Sequence, residues 1–102
     1  MRRPNLFRDI RLESRVSDAV DAAIQIWPGA ERAWEAVEYT LAHDPEVGAP
    51  LNEAGTVRAF VFHGAQSAGI PDIQVTYRHE ASLISVQDAL FTQSRFPFHG
   101  TG

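Results

Sequence analysis

The hydrophobic positions of this chain follow a helical period in its first half and a strand period in its second. Between residues 14 and 44, apolar side chains recur every three or four positions, the spacing of helices with one buried face. From residue 56 to residue 86, apolar and polar side chains largely alternate, as in strands with one buried face. The pattern predicts a small α+β domain in which a helical hairpin packs on one face of a small antiparallel sheet.

Two helices are predicted on either side of Pro28-Gly29, a dipeptide that interrupts a helix. Asp44-Pro45 ends the second helix, because proline disfavours a helical conformation in the residue before it. Trp27 and Trp34 lie on the two apolar stripes, and a tryptophan in that position indicates a place in the core.

Three strands are predicted after the loop that follows the second helix. Residues 56–63 are largely apolar on both faces, which indicates a strand covered on both sides. Residues 72–78 alternate regularly with Tyr77 facing inward, and residues 83–86 form the last predicted strand. Residues 5–12 also alternate, and they fit either a first strand or a short helix.

The length of 102 residues predicts a single domain with a modest core. A domain of this size buries roughly 65% of its unfolded surface. Residues 1–4 and 93–102 are expected to be flexible tails. No apolar run approaches the ~20 residues that span a bilayer, so we expect a cytoplasmic protein with no membrane partner.

Composition excludes several kinds of chemistry. The chain has no cysteine, which excludes disulfides, thiolate zinc sites and cysteine nucleophiles, and no lysine, which excludes Schiff-base mechanisms. No serine lies in a Gly-x-Ser-x-Gly elbow. The histidines lack the i, i+4 spacing of a helical zinc site, although His63 and His79 are candidates to approach each other. We therefore expect no metal site and no cofactor.

The charges are unevenly distributed along the chain. Residues 1–15 hold five arginines against two acids, net +3, whereas the remaining residues hold four arginines against eleven acids, net −7. An acidic body repels phosphate, which disfavours nucleic acid as the partner. A basic arm on an acidic body fits a short contact with an acidic partner.

Polar side chains on the solvent side of the predicted sheet form the candidate functional surface. The set comprises Arg58, Gln74, Thr76 and Arg78, with His63 and His79 near its rims. Arginine binds phosphate or carboxylate through paired hydrogen bonds, so this surface fits an RNA backbone or the acidic groups of a protein. A solvated polar face with one or two ion pairs is the alternative.

Four short stretches carry a resemblance to a known family. They are residues 41–51, 57–60, 73–78 and 84–86. With the predicted order of a first strand, a helical hairpin and three antiparallel strands, they resemble the RelE/ParE toxin superfamily over about residues 30–88. That family often shows a proline-glycine-leucine segment after the helix, an arginine that starts the next strand and a valine-x-tyrosine pair in the penultimate strand.

The resemblance implies a bacterial toxin–antitoxin protein that acts by binding a macromolecular partner. Members of the ParE branch inhibit gyrase without a nuclease site, and an antitoxin segment wraps them. The RNA-cleaving members are strongly basic, whereas this chain has Gln74 and Asp88 where they tend to carry basic residues. Only Arg58, Tyr77 and Arg78 match, so the resemblance favours a non-catalytic or degenerate protein with an antitoxin-like or other protein partner.

Two alternatives remain open, and the sequence does not decide whether the chain is an enzyme. The first is a ribosome-dependent mRNA endonuclease, with Arg58, Arg78, His79 and His63 as the catalytic candidates and a histidine in proton transfer. The second is an unrelated small α+β domain that forms a homodimer through its sheet and binds a small ligand.

Overall fold

The computed structural model describes residues 9–95, which form two helices packed on one face of an open five-stranded sheet. In chain order the elements are β1 (Asp9–Leu12), α1 (Ser14–Ile26), α2 (Ala30–His43), β2 (Ala49–Pro50), β3 (Val57–Phe62), a short 3-10 helix (Gln66–Ala68), β4 (Asp72–Glu80) and β5 (Leu83–Thr92). The predicted α+β fold with a helical hairpin is confirmed. Of the predicted tails at residues 1–4 and 93–102, residues 1–4 and 96–102 lie outside the described residues, whereas residues 93–95 are described and Ser94 is buried.

The strands lie in the order β1-β5-β4-β3-β2. β3, β4 and β5 form an antiparallel meander, as predicted. β1 is a strand rather than a short helix, and it pairs in parallel with β5, from Asp9 opposite Leu83 to Leu12 opposite Val86. The sheet is therefore mixed rather than wholly antiparallel. The sequence does not predict this pairing, because no local pattern specifies the direction in which β1 joins the sheet.

β5 extends to Thr92, six residues beyond the predicted end of the last strand. The register explains the difference, because Tyr77 pairs with Val86 whereas Thr76 pairs with Asp88, and Gln87 is left over as a β-bulge. The bulge shifts the alternation of inward and outward side chains by one residue. The regular period of two therefore ends at the bulge, although the strand continues.

The core lies between the helical hairpin and the inner face of the sheet. Its buried members are Val16, Val20, Ala33, Trp34, Val37 and Leu41 from the helices, and Ile73, Val75, Tyr77, Ile84, Val86 and Ala89 from the sheet. The ring of Trp34 lies 5.9 Å from that of Phe91. The half-buried Trp27 donates its indole N–H to Gln93 Oε1 at 3.0 Å, so Gln93 is held against α1.

β3 is covered on one face only, which differs from the sequence prediction. Phe60 and Phe62 pack against the core, but Val61 on the other face is 47% exposed. The outer neighbour of β3 is the two-residue β2, so β3 lies near the edge of the sheet instead of at its centre. The apolar outer side chains of β3 therefore contribute to the surface.

No helix within residues 9–95 combines the length and the hydrophobicity that crossing a membrane would need.

Candidate functional site

The polar residues of β4 lie on the outer face of the sheet, away from the helices. Ile73, Val75 and Tyr77 are fully buried. The alternation of the strand therefore turns Gln74, Thr76 and Arg78 to the opposite side. Gln74 and Arg78 are exposed and Thr76 is half-buried. These three residues occupy the face that the sequence predicts for them.

Strand pairing places apolar residues beside this polar row. Gln74 lies between Val61 and Leu90, which are 47% and 56% exposed. We define the outer surface by residues of three neighbouring strands: Val57, Ala59, Val61, Gln74, Thr76, Arg78, Asp88 and Leu90. It combines apolar contact area with one arginine and one carboxylate, so it can form both apolar contacts and directed hydrogen bonds with a partner.

Arg58 does not belong to the outer surface, so that part of the sequence prediction is wrong. It lies opposite Tyr77 in the β3–β4 register, on the same face as Phe60, and this face points toward the helices. The alternation of β3 correctly places Arg58 on the same face as Phe60. Because both faces of β3 are largely apolar, however, the sequence does not show which face points toward the helices.

The Arg58 guanidinium binds backbone carbonyl groups of the segment that links α2 to β3. Its Nε donates to Gly55 O at 2.8 Å, and its Nη1 donates to Glu46 O at 3.0 Å and to Gly48 O at 2.7 Å. We call residues 44–56 the connecting loop. Three hydrogen bonds from one planar group hold the two ends of this loop together.

Tyr77 also binds the connecting loop, through hydrogen bonds of its hydroxyl group. Its buried hydroxyl donates to Pro45 O at 2.6 Å and accepts a hydrogen bond from Gly48 N–H at 3.1 Å. Burial raises the pKa of the Tyr77 hydroxyl above 10.0, and the hydrogen bond from Gly48 and the charge of Arg58 partly offset this. Inward-facing Tyr77 is predictable from the sequence, but its backbone partners are not. The only signal is that a buried tyrosine hydroxyl needs a hydrogen-bond partner.

His63 and His79 do not approach each other, contrary to the sequence prediction. In the β3–β4 register, Phe62 lies opposite Ile73 at one end and Val57 lies opposite Arg78 at the other. His63 follows the first end and His79 follows the second, so they are roughly 20 Å apart. His79 Nε2 lies 3.1 Å from the carbonyl oxygen of Gly55, so this ring also contacts the connecting loop.

The four catalytic candidates are therefore distributed over three places. Arg58 and His79 contact the connecting loop, Arg78 lies on the outer face, and His63 lies at the opposite end of the sheet. The residues from 9 to 95 contain no group of three or more histidine or carboxylate side chains suited to a metal ion.

An apolar groove between α1 and β5 is a feature that the sequence does not reveal. Its volume is about 240 Å³, and it is lined by Ala19, Ala22, Ala23, Ile26, Trp27, Ala89, Leu90 and Phe91. Most of the helix side of the groove is alanine, so the groove has room for side chains from outside. Its β5 side depends on the bulge at Gln87, which no periodicity indicates.

No protein-family model matches the chain, and no curated protein shows significant similarity to it. The functional interpretation therefore depends on the geometry of the chain itself.

Proposed function

We propose that this chain is a RelE/ParE-like protein of a toxin–antitoxin system that acts by binding a protein partner rather than by catalysis. The element order supports the proposal: a first strand, a helical hairpin and then an antiparallel meander, which is the order that the resemblance implies. Arg58 and Tyr77, two of the three residues that match the family pattern, support the connecting loop through hydrogen bonds.

The outer surface is the observation that carries this proposal. Its apolar members Val61 and Leu90 are about half exposed and flank Gln74, and no element within residues 9–95 covers them. An exposed apolar patch bordered by polar groups is typical of a protein-binding surface. Arg78 is exposed on the same face, and arginine is enriched in protein interfaces.

The positions of the catalytic candidates favour binding over RNA cleavage. Cleavage through a 2′-hydroxyl needs a base, a phosphate clamp and an acid within reach of one phosphate. The guanidinium of Arg58 already donates to three carbonyl oxygens, and Arg78 lies on the other face of the sheet. The net charge of −4 adds repulsion between the protein and RNA.

Growth after induced expression tests the proposal. The chain is expressed alone and together with the small open reading frame next to its gene. We expect growth arrest with the chain alone and rescue by co-expression. No arrest, together with no binding between the two products, contradicts the toxin–antitoxin assignment, and cleaved mRNA during arrest favours the endonuclease instead.

Two charge-reversal variants test the outer surface itself. Arg78→Glu changes the exposed arginine of this surface, and Arg32→Glu makes the same charge change at an exposed position of α2. We expect Arg78→Glu to lose arrest and to weaken binding of the target, while Arg32→Glu behaves as the wild type. Equal activity of all three proteins means that the outer surface is not the binding site.

A further inference from the structure

β5 is paired along both of its edges for only part of its length. β4 pairs with β5 from Leu83 to Thr92, whereas β1 pairs with it only from Leu83 to Val86, because the chain turns into α1 after Leu12. Within residues 9–95, no strand pairs with the second edge of residues 87–92. We call this segment the open edge. An unpaired strand edge is a template for a further strand.

Within the open edge, Ala89 and Phe91 direct their backbone N–H and C=O groups away from β4. On β4, the inward-facing residues direct their backbone groups toward β3, as the hydrogen bond from His79 N–H to Thr56 O shows. Ala89 and Phe91 pair with inward-facing residues of β4, so their own N–H and C=O groups point away from β4. They are separated by one residue, Leu90, which makes the edge symmetric about Leu90.

α1 runs parallel to β5 beside the open edge. Arg15 Nε donates to Gln87 O at 2.8 Å near the start of the helix, and Trp27 Nε1 donates to Gln93 Oε1 at its end. Twelve residues of helix and six residues of strand have nearly equal lengths, about 18 and 20 Å. The midpoint of this stretch of α1 is Asp21, so Asp21 and its neighbour Ala22 lie close to the level of Leu90.

The exposed side of α1 carries apolar side chains around Ala22, together with the exposed Asp18 and Asp21. Ala19 lies three residues before Ala22, and Ile26, which is 65% exposed, lies four residues after it. When two such helices face each other antiparallel about Ala22, Ile26 of each helix lies opposite Asp18 and next to Ala19 of the other, and the two Ala22 side chains meet at the centre. Small residues at the centre let two helices approach closely.

We propose that two copies of this chain form a symmetric dimer through the open edge, with the two-fold axis at Leu90. Ala89 and Phe91 of each copy exchange backbone hydrogen bonds with Phe91 and Ala89 of the other, which joins the two sheets into one. The α1 helices pack against each other on the inner side, and the Leu90 side chains meet on the outer side. This dimer does not depend on the proposed toxin function.

The charges along the open edge are compatible with self-pairing. With the axis at Leu90, Asp88 lies opposite Thr92 of the second copy, so the ladder brings no two carboxylates together. Asp88 now accepts the Ala89 N–H hydrogen bond at 3.1 Å. In the dimer, a backbone carbonyl of the second copy replaces the Asp88 carboxylate as the acceptor of the Ala89 N–H. Because Asp88 is exposed, its carboxylate is then hydrated by water.

The oligomeric state of the chain in solution tests this proposal. Light scattering after size exclusion is expected to give twice the monomer mass of 11.3 kDa. Ala22→Glu places two carboxylates at the axis and is expected to give a folded monomer, checked by circular dichroism and thermal unfolding. Val61→Arg, on the outer surface but away from the open edge, is the control and is expected to remain a dimer.

Single-cysteine variants give a second readout, because the chain has no cysteine of its own. Leu90 would face Leu90 of the second copy in a non-hydrogen-bonded pair, with Cα atoms about 4.5 Å apart. That separation is within the range of a disulfide, so Leu90→Cys is expected to give a covalent dimer on oxidation and Val61→Cys is not.

Four outcomes overturn the proposal. The first is a monomeric wild-type chain at every concentration, and the second is a dimer that Ala22→Glu does not dissociate. The third is a dimer that Val61→Arg dissociates, which places the interface on the outer surface. A wild-type monomer that forms a dimer only after removal of residues 96–102 assigns the open edge to that segment, and it also overturns the proposal.

Discussion

Removal of the Tyr77 hydroxyl is expected to destabilise the fold, because it leaves two buried backbone groups without a partner. In Tyr77→Phe, the ring keeps its packing, but Pro45 O loses its donor and Gly48 N–H loses its acceptor. Water has little room to replace the hydroxyl, since Pro45 and Gly48 are both buried and even a Cβ on Gly48 would lie 2.6 Å from Ala59 O.

The expected loss in the free energy of unfolding follows from the cost of burying polar groups without hydrogen bonds. Each such group costs roughly 1–3 kcal/mol. The connecting loop retains its hydrogen bonds to Arg58 and relaxes in part, so we expect a total loss of about 2–3 kcal/mol in the free energy of unfolding. For a domain of this length, that loss lowers Tm by roughly 10–20 °C.

Urea unfolding followed by tryptophan fluorescence measures this change, with the slope of the transition as a check on two-state behaviour. Tyr39→Phe is the matched control, because Tyr39 is 63% exposed on α2 and water replaces any bond that its hydroxyl makes. A loss below about 0.5 kcal/mol in Tyr77→Phe, the size of an ordinary surface substitution, would refute this account of the loop.

Three further predictions concern α2 and the connecting loop. Burial, with a smaller contribution from the charge of Glu35, raises the pKa of Glu38 above 4.5, while a hydrogen bond with Trp34 lowers it in part. The protonated carboxyl therefore favours the folded state, and this stability is lost as the pH rises through the folded-state pKa. Glu38→Gln is expected to unfold at a higher temperature than wild type at pH 7, with the difference vanishing below pH 4.5 in calorimetry. Gly48→Ala is expected to lower the urea midpoint strongly, because its Cβ would lie 2.6 Å from a backbone oxygen of β3. Arg58→Lys is expected to accelerate amide exchange in the connecting loop more than in β4, because an ammonium group does not reproduce three hydrogen bonds of a planar guanidinium.

Each of these expectations has a contrary result. Equal stability of Glu38→Gln and wild type at pH 7 means that the Glu38 carboxyl is well solvated. An unchanged urea midpoint in Gly48→Ala means that the loop shifts away from β3 at little cost. Uniform protection in Arg58→Lys means that Tyr77 alone holds the loop.

The elements that the sequence predicts well are those whose signals are local. Asp44-Pro45 ends α2 because of steric conflict between adjacent residues, and α2 ends at His43. β4 follows from regular alternation that places Ile73, Val75 and Tyr77 inward, and these side chains are fully buried. The outward position of Gln74, Thr76 and Arg78 follows from the same alternation.

Other features depended on which segments meet in space. The bulge at Gln87 arises from pairing between β4 and β5. It shifts the alternation of inward and outward side chains, so a search for a regular period of two does not detect the second half of β5. The face of Arg58 depends on which apolar side of β3 the helices cover, and the separation of His63 and His79 depends on strand register.

The amino-acid sequence by itself determined the helical hairpin, the antiparallel meander and the inward side of β4, because residues a few positions apart control backbone conformation and alternation. Only the tertiary structure decided the parallel placement of β1, the loop-binding role of Arg58 and the open edge beside α1. These features arise from contacts between residues distant in the chain, and the free energies of such contacts depend on register and direction, which no local pattern specifies.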